Sequence, residues 1–257
     1  MPPLVLPIVK IVGKLILNKL AGKKYCFASQ NYGYGYESSL DVRTDQWLKN
    51  GMNGCPFSFY VDERCLIPRS LIAEVIAQGS ADPWLNPNSA CALDLCTGGG
   101  SLAVLLALTY PQLQVDALDI SADALAVADI NIQRHALKQR IHTRLSDGLA
   151  QAQGPYDMVV CNPPYVNANS MAALPAEFLA EPANALDGGL DGMDFCRSFF
   201  SEAQAKLSDE GQILLEIGHE AAHFDAAFPA LEKTWIPVQA GESMVALITG
   251  KALMRLG

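Results

Sequence analysis

The sequence predicts a doubly wound α/β fold carried on a mostly parallel sheet. Three observations lead there. From about residue 70 onward, short apolar runs of strand length alternate with helix-length segments. Those runs are apolar at nearly every position rather than at every second one. A glycine turn joins the first run to the helix that follows it. Strands that read this way are buried on both faces, which requires helices above and below the sheet.

In chain order, residues 1–54 stand apart. "LVLPIVKIVGKLILNKLAGKK" is apolar but interrupted by Lys10, Lys14, Lys19, Lys23 and Lys24. The lysines deny it the uncharged length of a membrane span, and it lacks the basic start and small-residue cleavage site of a signal peptide. It is expected to form a small helical extension that packs on the chain's own body, a homodimer mate or another partner; membrane association is not expected. A polar loop, Tyr/Gly-rich at its start, follows from Ser29 to Asn53. Residues 55–257 are expected to form one domain. It opens with "FSFYVDERCLIPRS", whose aromatic and β-branched residues suggest a β-hairpin before a helix starting near Ser70. "CALDLC" then reads as a buried strand and "SLAVLLALTY" as a helix. "QVDALDI" is the next strand, followed by a helix from Ala122 to His135 with Ser121 as N-cap. "RIHTRL" and "YDMVVC" are strands, "DFCRSFFSEAQAKL" a helix, and "QILLEIG" and "ESMVALIT" the last strands.

The 257 residues carry 18 Lys/Arg against 27 Asp/Glu, a net charge of −9. Residues 1–60 are basic, so the acidic excess lies in the main body. A body of that sign repels a phosphate backbone, and no stable nucleic-acid binding is expected. The seven cysteines include no C-x-x-C pair. They read as small core residues in a reducing cytoplasm rather than as disulfides or a zinc cluster.

"DLCTGGGSLAV" places Asp94 near the end of the first buried strand, then Cys96, Thr97, Gly98, Gly99 and Gly100, then a helix N-terminus. Such glycines let the backbone turn and approach a ligand closely. Asp119 and Ile120 end the next strand, where a carboxylate can accept both hydroxyls of a ribose. Cys96 occupies the place of the first glycine in a dinucleotide fingerprint, and a pyrophosphate needs that glycine. S-adenosyl-L-methionine carries no phosphate, and Asp94 suits its cationic amino-acid end. Asp147 and Gly148, after the third strand, fall where the adenine amino group would be read.

The fourth strand runs into Asn162-Pro163-Pro164-Tyr165. Two prolines stiffen the exit. The side-chain oxygen of Asn162 and the carbonyl of Pro163 are two acceptors for the N–H groups of a planar NH₂, and Tyr165 supplies a flat wall against which it can stack. As such a nitrogen takes up a methyl group it becomes cationic, and both acceptors then bind more strongly. No strong general base is needed.

These motifs, with "LIPR" before the glycine turn and "LPAEFLAEPANALDGGLDGMD" after the clamp, resemble the glutamine-specific protein methyltransferases, which modify peptide release factors or a large-subunit ribosomal protein; the ribosomal-protein branch is the closer. The resemblance runs from Pro56 to about Leu253. It implies a class I, Rossmann-like domain with a seven-stranded sheet, S-adenosyl-L-methionine as cofactor, and a glutamine-bearing protein of the translation apparatus as partner. It further implies that Cys96 to Gly100, Asp119 and Asn162 touch the cofactor, that Asn162 to Tyr165 clamp the substrate, that Glu181 and Asp191 brace the loop over the site, and that Arg69 closes it from the hairpin side. The short N-terminal segment departs from the family's helical recognition domain, which leaves the methyl acceptor open. The other readings of the same clamp are an adenine amino-methyltransferase, an N-methyltransferase for a small peptide or metabolite, and a non-catalytic cofactor-binding protein. "HEAAH", His219 to His223, matches a zinc-protease pattern. It follows a strand directly and lacks a placed third ligand, so no metal is expected there.

Overall fold

The computed structural model describes residues 59–174, 178 and 181–255. The expected N-terminal helix, the Tyr/Gly-rich loop and the domain boundary near residue 55 lie outside them.

Seven strands form one sheet: β1 (Cys91–Leu95), β2 (Gln114–Asp119), β3 (Ile141–Leu145), β4 (Tyr156–Cys161), β5 (Leu207–Glu216), β6 (Thr234–Val238) and β7 (Gly241–Thr249). Their order is β3-β2-β1-β4-β5-β7-β6. The first five in that order run parallel, and β7 is antiparallel to both β5 and β6. The direction of winding reverses between β1 and β4. Ligands in such sheets bind at that switch point, at the carboxyl ends of the strands.

Helices cover both faces, as the apolar strands require. Residues of α1 (Ile72–Gln78), α2 (Ser101–Thr109) and α3 (Ala122–Arg134) join Ala92, Val115, Met158, Val160 and Leu214 in one core. On the other face α5 (Asp194–Ala203), α6 (Ala221–Ala227) and α7 (Gly250–Met254) pack on Leu93, Val159, Ile213 and Leu215. The short α4 (Ala168–Ala172) lies just beyond the clamp. The expected cap of α3 forms: Ser121 Oγ accepts from Ala124 N at 3.2 Å. Of the five described cysteines, Cys65, Cys161 and Cys196 are buried, as core residues should be, whereas Cys91 is exposed at the start of β1.

Two elements depart from the sequence reading. Residues 59–70, the described part of the expected hairpin, show a bridge residue at Tyr60 but no continuous β-strand. Asp62 instead draws its own neighbours inward, accepting from Tyr60 Oη at 2.8 Å and from Arg64 Nη2 at 2.6 Å, which holds a tight turn. Local side-chain bonds of this kind compete with strand pairing. Conversely, "TWIPV" forms β6 despite Pro237. The proline is tolerated because β6 is an edge strand, and the register slips between Ile236 and Val238. Among the described residues no helix is long and apolar enough to cross a membrane.

Candidate active site

The register brings the two motifs together. Leu95 of β1 pairs with Cys161 of β4, so the glycine turn and the Asn-Pro-Pro-Tyr exit leave adjacent strands at the same height.

On the β1 side, Asp94 is buried. Its Oδ2 accepts from Thr97 Oγ1 at 2.5 Å and from Ala103 N at 2.8 Å, which ties strand to helix. Its Oδ1 is also buried and has no hydrogen-bond partner among the described residues. Burial pushes the carboxyl up to about 7; the bonds from Thr97 and Ala103 oppose this, and Asp119 reinforces it. The turn runs through left-handed Cys96 (φ 59°), Gly98 (φ 53°) and Gly100 (φ 77°). A Cβ on Gly100 would stand 2.9 Å from that of Ala128, so this glycine is required where α3 packs. One on Gly98 would meet nothing within 4 Å: that glycine faces open space.

Asp119 welds the neighbouring loop to this turn. Its Oδ2 accepts from Gly98 N at 2.8 Å and its Oδ1 from Ser121 N at 2.9 Å. Each oxygen keeps a further lone pair for a hydroxyl group. Beside it Ile120 and Leu145 are 60% and 57% exposed, two apolar side chains at the tips of β2 and β3. Asp147 and Gly148 lie on the next loop and, with Leu149, Phe195, Ser198 and Phe199, line a cleft of about 300 Å³. An unpartnered buried carboxylate oxygen, an open glycine, a ribose-height acid and an apolar ledge fit S-adenosylmethionine: Asp94 could take its ammonium, Asp119 its ribose, and Ile120 with Asp147 its adenine.

Asn131 was not singled out by sequence. It is fully buried in α3; its Oδ1 accepts from Tyr60 N at 2.7 Å and its Nδ2 donates to Tyr60 O at 3.0 Å and Gly99 O at 2.7 Å. It therefore ties the segment before α1 to the glycine turn. Asn131→Ala removes three hydrogen bonds at once and is expected to cost about 2 kcal/mol, read as a lower urea midpoint at unchanged slope, with weakened cofactor affinity.

On the β4 side, Asn162 Oδ1 is buried and accepts no hydrogen bond among the described residues. Tyr165 is held rigidly. Its hydroxyl donates to Glu216 Oε1 at 3.2 Å, and a Cβ on Gly218 would come within 2.7 Å of its ring. Glu216 is itself buried at the end of β5, accepting on Oε2 from Ser70 Oγ at 2.6 Å and Leu71 N at 2.8 Å. Burial raises the Tyr165 hydroxyl well above its ordinary range, and the Glu216 charge adds to that.

The long loop after the clamp is stitched to it. Val166 bridges Asp187 in parallel, with Val166 N donating to Leu186 O and Gly188 N to Val166 O, each at 2.9 Å. Gly192 is left-handed (φ 81°), and a Cβ there would come within 2.3 Å of the Tyr165 carbonyl. Glu181 anchors the loop from the other side: Arg69 Nη1 and Nη2 donate to its two oxygens at 2.9 and 2.5 Å, and Ile67 N donates at 3.2 Å. The Arg69 guanidinium also lies 4.8 Å above the Phe178 ring. Asp191 pairs with Arg197, which holds its carboxyl down at about 2, and so pins the loop to α5 rather than to the clamp. The His-Glu-Ala-Ala-His stretch does not place its histidines one turn apart on a helix, because α6 begins only at Ala221, after His219. Glu220 is instead shared between Asn167 Nδ2 at 2.6 Å and His223 Nδ1 at 2.5 Å, bracing the chain beyond the clamp.

This sheet order, with an acidic glycine turn facing an amide–proline corner across the switch point, defines a class I methyltransferase. Solved structures agree on the fold. The hMettl16 catalytic domain, solved with the MAT2A 3'UTR hairpin 6, matches at a TM-score of 0.59 and 15% identity over 74% of each chain. The Thermus thermophilus 16S rRNA N2 G1207 methyltransferase, solved with AdoMet and guanosine, matches at 0.51 and 19% over 75% of this chain and 47% of its own. The family model of the methyltransferase small domain matches residues 83–193. Two proteins named ribosomal protein uL3 glutamine methyltransferase are similar to this chain. That of Neisseria gonorrhoeae is 46% identical over 77% of this chain and 67% of its own length. That of Bordetella pertussis is 47% identical over 76% and 66%. The chain belongs to the ribosomal protein uL3 glutamine methyltransferase family; it spans about two thirds of the length of these relatives.

Proposed function

We propose that the chain transfers a methyl group from S-adenosylmethionine to the side-chain amide nitrogen of a glutamine in a protein, with ribosomal protein uL3 as the acceptor and the cytoplasm as the place. The observation that carries this reading is the buried, unpartnered Oδ1 of Asn162 beside an immobilised Tyr165. A buried acceptor left without a donor is costly unless a ligand completes it.

S-adenosylmethionine supplies an electrophilic methyl group. The chain supplies the geometry. Asn162 Oδ1 and the Pro163 carbonyl accept the two N–H bonds of the glutamine amide, which turns the π-face of its nitrogen toward the methyl. Pro163 and Pro164 keep the two acceptors from swinging apart, and the Tyr165 ring supports the amide plane. Positive charge grows on the nitrogen as the new bond forms, so both hydrogen bonds strengthen most in the transition state. One proton then leaves the nitrogen, and no buried base has to take it beforehand. Incubating the chain with uL3 and labelled cofactor, then mapping the label, tests this: a methyl on a glutamine amide nitrogen is expected, and label only on other residues or in nucleic acid overturns it.

The state of Asp94 gives a pH dependence. Its carboxyl lies at about 7, raised chiefly by burial. A neighbouring ammonium favours the charged form, so below that pH binding must release a proton. Cofactor affinity is expected to tighten by up to about tenfold per unit as pH rises towards 7, then level off. Calorimetric titration should find this slope absent in Asp94→Asn.

A further inference from the structure

Leu190 is the most exposed large apolar side chain among the described residues, at 84%. Its backbone is nonetheless fixed. Ala168 N donates to its carbonyl at 3.4 Å, and left-handed Gly189 and Gly192 fold the loop back on either side of it. The same loop abuts the clamp through Gly188 and Gly192, whose added Cβ atoms would collide with the Tyr165 backbone. A single exposed leucine on a protein surface means little. This one stands beside a second unusual feature: between Asp157 and Glu177, from Met158 to Ala176, an otherwise acidic body carries no charged side chain. The part of that stretch nearest Leu190 presents Ala168, Asn169, Ser170, Ala172 and Ala173 to solvent.

We propose that Leu190 and the exposed side of α4 form the ledge on which the polypeptide flanking the target glutamine docks, and that this flanking segment is free of acidic residues, with small or apolar side chains. The inference rests on the functional reading above and adds the chemistry of the acceptor's neighbours. The ledge adjoins the corner that holds the amide through the Val166–Asp187 bridge and the Ala168–Leu190 hydrogen bond, which puts it in reach of the residues that flank a glutamine held there. An acidic flank would lose water beside Asp187, Asp191 and Asp194, all within four residues of Leu190, and would meet charge of its own sign. An apolar flank gains contact with a side chain whose backbone is already fixed, so little backbone entropy is lost.

Steady-state kinetics on ribosomal protein uL3, with the full chain, test this. Leu190→Ser is expected to raise KM for uL3 about tenfold, the worth of one apolar contact, with kcat and S-adenosylmethionine affinity unchanged. Leu190→Met should stay within about threefold of the parent, since it restores the apolar bulk. A uL3 variant with glutamates on both sides of the methylated glutamine should show a KM raised at least as far with the parent enzyme. An unchanged KM in Leu190→Ser, a fall in kcat at constant KM, or equal use of the glutamate-flanked substrate overturns the ledge while leaving glutamine methylation intact. Failure of the parent chain to methylate any glutamine overturns the functional reading and the ledge with it.

Discussion

Asn162→Ala is expected to lower kcat for methyl transfer by about 10²–10³-fold, while affinity for S-adenosylmethionine stays within about tenfold. The split follows from where the oxygen sits. Asn162 Oδ1 is buried and makes no hydrogen bond within the described protein, so removing it breaks no contact of the fold. In the proposed reaction the bond it makes is to the substrate, and it strengthens as the nitrogen becomes cationic. Alanine therefore removes an interaction worth most in the transition state, and kcat should fall more than KM rises. The cofactor's ammonium and ribose groups are assigned instead to Asp94 and Asp119, on β1 and β2. Single-turnover kinetics alongside calorimetric titration separate the two effects. Unchanged turnover would remove Asn162 from the clamp; loss of cofactor affinity beyond a hundredfold would make it a cofactor ligand first.

Much of the fold was legible because it rests on local signals. The apolar runs at β1, β2, β4, β5 and β7 and the Ser121 cap declare themselves within a few residues. β6 did not, because Pro237 reads as a breaker unless its strand is known to lie at an edge, and that depends on the whole sheet. The described part of the expected hairpin stops at a bridge residue, Tyr60, for a converse reason: "FSFYVDER" has strand-like residues, but Asp62 spends its carboxylate on Tyr60 and Arg64. The site divides in the same way. Asp94, Asp119 and Asn162 were visible because motif spacing carries them. Asn131 and Glu216 were not, since each is one polar residue in an ordinary helix or strand and gains meaning only from partners far away in sequence. Glu216 meets Ser70 from 146 residues along the chain and Tyr165 from 51. Arg69 and Glu181, 112 residues apart, came from family resemblance and meet as an ion pair. Asp191 does brace the loop, but against α5 through Arg197.

Glu216 connects the segment before α1 to the clamp, and its replacement should have the second largest effect. In Glu216→Ala the Ser70 hydroxyl, the Leu71 N–H and the Tyr165 hydroxyl lose their acceptor together. The expected cost is about 3 kcal/mol or more in stability, with a fall in kcat because the Tyr165 ring is no longer held against the amide plane. Glu216→Gln should be far milder. Its amide oxygen can still accept from Ser70 and Leu71, and its NH₂ can donate to Tyr165, whose hydroxyl serves equally as acceptor. Charge is not what the position needs: burial raises the Glu216 carboxyl above its ordinary range, although the bonds from Ser70, Leu71 and Tyr165 oppose the shift. A carboxyl raised in the folded state binds its proton more tightly there than in the unfolded chain. Its stabilising contribution is therefore complete below the unfolded value and is lost as pH climbs through the folded one. The glutamine variant has no such slope, so its urea midpoint should gain on that of the parent as pH rises from about 4 to 8. If glutamine instead proves as damaging as alanine at every pH, the ionised carboxylate is the working form, and Glu216 would have to be moved from holding Tyr165 to acting on the substrate itself.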